Sequence, residues 1–159
     1  WPPGRAPCIP KRRLHMPSRP IHQVIADRSF VCVPIDMPVR AVTQLMQDFR
    51  QSAALVTEHG VLTGIFTERD ATFRVLAANL DPDTTPVGEV LTHNPQTITE
   101  DRPFAHALHM MFEGGFRHVP VISAEGRPLG LIASSDALDL DALQFGEELV
   151  RREEITVIL

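Results

Sequence analysis

Two stretches 66 residues apart share one outline: Gly64-Ile65-Phe66-Thr67-Glu68-Arg69-Asp70 and Gly130-Leu131-Ile132-Ala133-Ser134-Ser135-Asp136. Each reads as the end of a buried strand running straight into a helix. The rest of the chain reads as two copies of one unit built around these junctions. Each unit is strand, helix, strand, strand, helix. A three-stranded sheet with helices on one side leaves its other face unburied when alone. Two copies packed against one another remove that problem, as in any repeat that cannot cover its own face. The expected fold class is therefore α/β (α+β), two pseudo-symmetric β-α-β-β-α repeats in one module.

The first copy spans 21–80. Ile21 to Ile25 reads as a short helix and Phe30-Val31-Cys32-Val33 as a strand ended by Pro34. Asp36 is the expected N-cap of the next helix, with Pro38 in its first turn. Val39, Val42, Leu45, Met46 and Phe49 give that helix one apolar face. Ala53 to Val56 is a strand, Glu58-His59-Gly60 a turn, and Val61 to Phe66 the returning strand. Glu68 to Asn79 is a helix, with Ala71, Val75, Leu76 and Leu80 inward. Residues 81–86 are a linker by composition.

The second copy spans 87–148. Val87 to Leu91 is a helical turn and Gln96 to Thr99 the counterpart strand. Phe104, Ala107, Leu108, Met111 and Phe112 repeat the helical stripe. Val119 to Ile122 and Leu129 to Ala133 are the hairpin strands, and a closing helix runs from about Ser135 to Glu148. Pro38 and Pro103 match at an offset of 65, whereas Gly60 and Gly126 match at 66. One residue is thus inserted, placed by this reading between helix and strand. The apolar end, Ile155 to Leu159 in the tail 149–159, is suited to adding a strand or meeting a partner.

A chain of 159 residues, 43% hydrophobic and 22% charged, can bury a core without disulfide or metal. No apolar run approaches the roughly 18 residues needed to span a bilayer, and the N-terminal region shows no signal-peptide h-region. Charge is uneven. Residues 1–19 hold five basic groups and no acidic ones, leaving 10 basic against 20 acidic elsewhere. Such a body does not attract nucleic acid through its bulk field. Any phosphate must be held by a few local arginines and backbone N–H groups.

Residues 1–20 contain six prolines and read as an extended arm, with Lys11-Arg12-Arg13 a solvated run or a contact patch. Met16 is a candidate start residue, with the preceding segment a leader. Cys8 and Cys32 read as free thiols of a reducing compartment, the cytoplasm, with Cys32 a small core residue.

The pattern Gly-hydrophobic-Phe-Thr-Glu-Arg-Asp after a strand, the strand entry Arg117-His118-Val119-Pro120-Val121 and the 65–66 residue repeat resemble a tandem pair of CBS domains, a Bateman module. The resemblance covers about residues 21–148, and with no catalytic or transport domain attached it is similar to small stand-alone CBS-pair proteins. It implies two clefts between the repeats that take an adenosine-containing ligand: AMP, ADP, ATP, NAD or S-adenosylmethionine. It implies that Thr67 and Asp70 hold ribose in one cleft and Asp136 in the other. Adenine would lie near Val31 to Val33 and Ala53, Ala54 and Leu55 in the first, and near Thr97 to Thr99 and Phe116 to Val119 in the second. Arg69, Arg117 and His118 are the candidates for phosphate charge. The second copy departs from the motif: Ala133 stands where a hydroxyl belongs and Ser134 comes one position late, which leaves the second cleft either weaker or empty. The resemblance also implies a homodimer of pairs, a regulated protein partner, and no required cofactor beyond the regulatory adenine nucleotide.

The physics agrees with that assignment. A carboxylate can accept from both ribose hydroxyls, and a helix N-terminus offers unsatisfied N–H groups to phosphate. A plainer reading stands beside it: Thr67-Glu68-Arg69-Asp70 also fits a capping box. Arg69, Arg117 and His118 are equally suited to solvated surface. His106 and His109 share a helix face at metal-ligand spacing, or flank the stripe as ordinary polar residues. No nucleophile–base–orienter set stands out, so the expectation is a regulatory module or a ligand-independent dimerisation scaffold, not an enzyme.

Overall fold

The computed structural model describes residues 19–138. Cys8, Met16, the basic arm, most of the expected closing helix and the apolar tail lie outside the described residues. The elements run α1 (Ile21–Ile25), β1 (Val31–Pro34), α2 (Val39–Asp48), β2 (Ala53–Glu58), β3 (Val61–Thr67) and α3 (Glu68–Asp70), which widens into a π-helix over Ala71–Leu76. A 3-10 turn (Val87–Glu89), β4 (Thr92–His93), β5 (Ile98–Thr99), α4 (Phe104–Gly114), β6 (His118–Ile122) and β7 (Pro128–Ala133) follow.

The sheets repeat one plan. β1 and β2 are parallel and β2 and β3 antiparallel, with β4 added on the far edge. β5 and β6 are parallel and β6 and β7 antiparallel. Pro34 ends the edge strand β1, where a missing N–H is tolerated. The sequence pattern showed three strands per unit; β4 is an addition too short to carry a periodic signal.

Register locates the inserted residue. Ala54 faces Phe66 and Val119 faces Ile132, so β2 maps onto β6 at 65 and β3 onto β7 at 66. Both hairpins carry an irregularity at matching places, Val56/Thr57 and Val121/Ile122. The extra residue therefore sits in the second hairpin loop, not between helix and strand. Loops absorb insertions that a packed helix–strand connection would transmit to every inward side chain.

Each half borrows its opening segment from the other. Ile21 and Val24 of α1 join the core built on α4, β6 and β7. Ile21 N–H donates to Arg102 O at 2.8 Å. Reciprocally, Val87, Val90 and Leu91 pack into the core under α2, and Val87 N–H donates to Met37 O at 2.8 Å. A third cluster, Ala53, Leu55 and Ile65, lies on the other face of the first sheet and takes Phe30 and, from β7, Leu131. Fully burying a leucine contributes about 2 kcal/mol, as for Leu55, and the partly buried Leu131 contributes less. The faces that single repeats would expose thus cover each other.

Several local expectations change. Asp36 does not cap α2. The helix starts at Val39 behind Pro38, because the 81–86 linker satisfies its first donors: Val39 N–H reaches Thr85 O and Arg40 N–H reaches Pro82 O, both at 3.0 Å. Cys32 is exposed, since Val31 and Val33 take the inward positions of β1 and strand alternation turns the residue between them out. The helix after Asp70 buries Val75 but leaves Leu76 and Leu80 exposed. Its i→i+5 bonds, Ala77 N–H to Thr72 O and Leu80 N–H to Val75 O, advance each residue less than an α-turn does and rotate the apolar face. Phe112, placed on the inner stripe of α4 by spacing, is exposed.

Candidate functional site

The two helix mouths share one backbone device. At the first, Thr67 is extended at the end of β3 and Asp70 opens a capping box. Asp70 Oδ2 accepts from the Thr67 N–H and the Thr67 hydroxyl, each at 2.9 Å. Its other oxygen, Oδ1, lies 3.3 Å from Arg74 Nε, one turn along the same helix. Arg74 is anchored in turn, donating to Leu91 O at 2.6 Å. Asp70 is buried, and both of its oxygens are engaged by its own half.

At the second mouth, Asp136 Oδ2 accepts from the Ala133 N–H at 2.9 Å. The main chain makes this bond, so it survives at alanine, whereas the two bonds of the Thr67 hydroxyl have no counterpart here. Oδ1 meets Arg28 Nη1 at 2.5 Å. Arg28 comes from the loop between α1 and β1, 108 residues away. The carboxylate itself is buried while the guanidinium is partly exposed.

A cavity of about 480 Å³ opens beside Asp136. Asp27, Arg28, Ser29 and Phe30 form one wall, and Arg50, Gln51 and Ser52 at the α2–β2 junction another. His118, Ala133, Ser135 and Asp136 close it from the second half. Ser52 Oγ and His118 Nε2 lie 2.7 Å apart and tie the halves together. Burial pushes the His118 imidazole below its ordinary range, and the Arg117 charge adds to that; Glu68 and Asp136 oppose it in part. The ring is therefore neutral at pH 7. A second cavity, of about 470 Å³, adjoins along α2 and shares Arg50, Gln51 and Ser52.

Of the residues singled out from sequence, Asp136 and His118 meet at the first cavity. Thr67 and Asp70 share a helix mouth but line neither cavity. Ala53 and Leu55 lie in the cluster between the sheets. Val33 and Ala54 point into the first core and Val119 into the second. Thr97 is half-buried; Thr99 is exposed and its hydroxyl bonds Asp101. Arg69 is exposed, its guanidinium 5.6 Å from the Phe73 ring centroid. Arg117 is exposed, and its carbonyl accepts from the Ser134 N–H at 2.9 Å. His106 and His109 are exposed, and no group of three or more metal-ligating side chains occurs among the described residues.

Arg28, Arg50 and Ser52 were not singled out. Arg28 sits in a short loop with no motif around it. Arg50 leaves a trace, because at the 65-residue offset its counterpart is Gly115. Ser52 and His118 resemble a nucleophile and its base. No carboxylate among the described residues hydrogen-bonds the second ring nitrogen, so the pair lacks the orienting group of a triad.

Comparison with known proteins agrees with the fold. The CBS domain family model matches residues 21–76 and 87–142. A CBS domain-containing protein of Arabidopsis thaliana, CBSCBSPB5, is 36% identical over 123 residues, 77% of this chain but 22% of its own length. The chain thus spans about a fifth of that relative. An uncharacterised 17.7 kDa protein of Acidianus ambivalens is 29% identical over 80% of this chain and 78% of its own. Among solved structures, a CBS domain protein of Pyrobaculum aerophilum complexed with AMP superposes with a TM-score of 0.67 at 24% identity, covering 74% of this chain and 89% of that one. The CBS domain pair of protein MJ0100, in complex with 5-methylthioadenosine and S-adenosyl-L-methionine, gives 0.71 at 22% identity, covering 80% and 99%. Two matched repeats, two equivalent sheets and two equivalent helix mouths have one explanation: the chain belongs to the CBS domain family, as a tandem pair forming a Bateman module.

Proposed function

We propose that the chain is a regulatory module that binds an adenosine-containing ligand in the cavity between its halves and passes the event to a partner through a change in packing. One observation carries this reading: a cavity walled by both repeats has a buried carboxylate at a helix mouth, held by the Ala133 N–H on one oxygen and by Arg28 on the other. Ribose hydroxyls are the natural replacement for that partner, since each can donate to a carboxylate oxygen. Binding would then exchange the Arg28–Asp136 pair for ligand contacts. Arg28 follows α1, which packs on β7, so the exchange would bear on how the halves meet. A ligand shifts such an equilibrium only by its differential affinity for the two arrangements. The AMP and S-adenosylmethionine complexes of the structural neighbours support the ligand class. The Thr67–Asp70 mouth would take a second molecule only by releasing contacts within its own half. The module is read as non-catalytic and cytoplasmic, a reducing compartment in which exposed Cys32 stays a thiol.

The test is a thermal shift with AMP, ATP, NAD and S-adenosylmethionine. A ligand at about 100 times its dissociation constant adds roughly 2.7 kcal/mol. No shift with any of them at millimolar concentration would favour the second reading, a dimerisation scaffold. That reading has its own observation: Phe73, Leu76 and Phe112 expose 61%, 76% and 84% of their surface. The two are compatible, and we propose a homodimer in either case, to be checked by light scattering with and without ligand.

A further inference from the structure

We propose that the outer edge of β7 is a docking site for one more strand and that its occupant is the apolar tail of this chain, Ile155 to Leu159. The two sheets differ at this edge. β3 is flanked by β4, so the first sheet has four strands, whereas the second has three and ends at β7. Hydrogen bonds at the helix mouths show that the two edges are equivalent. Glu68 N–H donates to Ser52 O at 3.1 Å, and Ser134 N–H donates to Arg117 O at 2.9 Å, the same bond 66 and 65 residues on. Bonded and non-bonded pairs alternate along an antiparallel ladder, so Ile65 and Leu131 both turn their N–H and C=O away from the hairpin. Ile65 meets Thr92 of β4, and Thr63 O accepts from the Asn94 N–H at 3.2 Å. At the offset of 66 the counterparts of Ile65 and Thr63 are Leu131 and Leu129. No strand among the described residues pairs with either on that side.

The segment beside β7 starts like its counterpart and then leaves. Ile25 packs on Gly130 as Leu91 packs on Gly64: a Cβ at Gly130 would stand 3.0 Å from Ile25, and one at Gly64 2.4 Å from Leu91. Leu91 leads straight into β4. After Ile25 the chain turns instead, with the Arg28 N–H on Ile25 O at 3.2 Å and Asp27 at φ 60°. α1 thus fills the second core through Ile21 and Val24 without supplying an edge strand. Leu129 is exposed, and Gly130 and Leu131 border open space.

The tail, which lies outside the described residues, has the position and the composition for that strand. Thr92 and His93 map at 66 onto Ile158 and Leu159, so the tail stands as far beyond β7 as β4 stands beyond β3. In the first half an interval of that length returns the chain to the sheet edge. Residues 139–154 would span about 24 Å as a helix and about 50 Å extended, against about 20 Å for a whole six-residue strand. Ile155-Thr156-Val157-Ile158-Leu159 is rich in β-branched residues and holds no charge, proline or glycine. The other place such a segment takes, that of Val87, Val90 and Leu91 in the first core, is filled in the second core by α1. An open strand edge is a template for pairing with other chains, and a strand from the same chain closes it.

Residue-resolved amide exchange of the full chain by NMR tests this, beside the double variant Val157→Pro with Ile158→Pro. Neighbouring residues of a strand point their N–H groups to opposite sides, so one of the two prolines removes a ladder donor. The Leu131 amide is expected to exchange at least tenfold more slowly in wild type than in the variant. The Ala133 amide, held by Asp136, is expected to exchange alike in both. Equal exchange at Leu131 in the two proteins overturns the proposal. Faster exchange at Leu131 and Ala133 together in the variant also overturns it, because the tail would then act on the whole fold and not on this edge. Contacts from the tail of a labelled copy to β7 of an unlabelled one, in a mixed sample, overturn the choice of occupant, since the strand then comes from a second chain.

Discussion

The helix mouths at Asp70 and Asp136 hold their carboxylates through the same 2.9 Å bond from the main chain, and they differ in the guanidinium that meets the remaining oxygen. Arg74 stands one turn from Asp70 on the same helix and is fastened to the carbonyl of Leu91. Arg28 reaches Asp136 from the opposite half. Duplication has kept the geometry and varied the partner. The Asp70–Arg74 pair lies within one helix, with Arg74 braced by the Leu91 carbonyl of the second copy, so Asp70 reads first as part of the framework. A pair across the halves breaks when they shift or when a ligand competes, so Asp136 reads first as part of a switch.

The largest effect should come from Asp136→Ala. Hydrogen bonds to a charged group contribute about 1.5 to 3 kcal/mol each. Losing the ribose contacts should therefore weaken nucleotide binding about a hundredfold or more in a calorimetric titration. Retention of full affinity would end the assignment of this carboxylate to the ligand. Next is Asp70→Ala, which removes a reciprocal cap at about 1 kcal/mol and a half-exposed ion pair that contributes less. The melting temperature should fall by about 3 to 6 °C. The same variant sharpens the contrast through stoichiometry. A drop from two nucleotides to one would show that Asp70 also gives up its local partners for a ribose.

Arg28→Gln probes the cross-half pair with a smaller expected effect. Without the guanidinium, Asp136 Oδ1 no longer has to leave a cation to meet a sugar. Adenosine, which lacks a phosphate, should bind a few-fold more tightly, and stability should fall by about 1 kcal/mol, since the guanidinium side of the pair is open to solvent. Weaker adenosine binding would mean that Arg28 supports the ligand directly and does not compete with it.

How much of this was legible in the sequence depends on whether the signal lay inside one repeat or between two. The sheets, the α2 and α4 stripes and the two helix mouths recur at 65 or 66 residues, and repetition made them readable. The exchange of opening segments was not, because Ile21 and Val24 are apolar whichever core receives them. The site of the insertion was not, because glycines near both candidate places let either offset slide until hydrogen-bond register chose the hairpin. Cys32 was legible and misread: Val31 and Val33 already claimed the inward positions, and residue type was given weight over alternation. The π-helix after Asp70 has no apolar spacing of its own to announce it. At the site, Asp136 could be found from the repeat and His118 from the strand entry Arg117-His118-Val119-Pro120-Val121, but the loop that brings Arg28 beside them could not. At Ala133 the main-chain N–H still meets the Asp136 carboxylate, while the hydroxyl that the motif offers to a ribose is missing.

The smallest expected effect concerns the Ser52–His118 tie, which crosses between the halves as the Arg28–Asp136 pair does but carries no charge at pH 7. Burial and Arg117 hold the imidazole below its ordinary value, with Glu68 and Asp136 opposing in part. The unfolded chain therefore binds the His118 proton more readily than the folded one. Where that is so, stability rises with pH. The contribution is complete above the unfolded value near 6.5 and falls away as pH drops through and below it. His118→Gln can still hydrogen-bond Ser52 but cannot titrate. A melting series from pH 7.5 to 5 should slope downward in wild type, and less steeply in the variant, with the two curves nearest together at the alkaline end. Parallel curves would show that protonation of His118 does not loosen the contact between halves. The switch would then rest on the Arg28–Asp136 pair without help from the neighbouring ring.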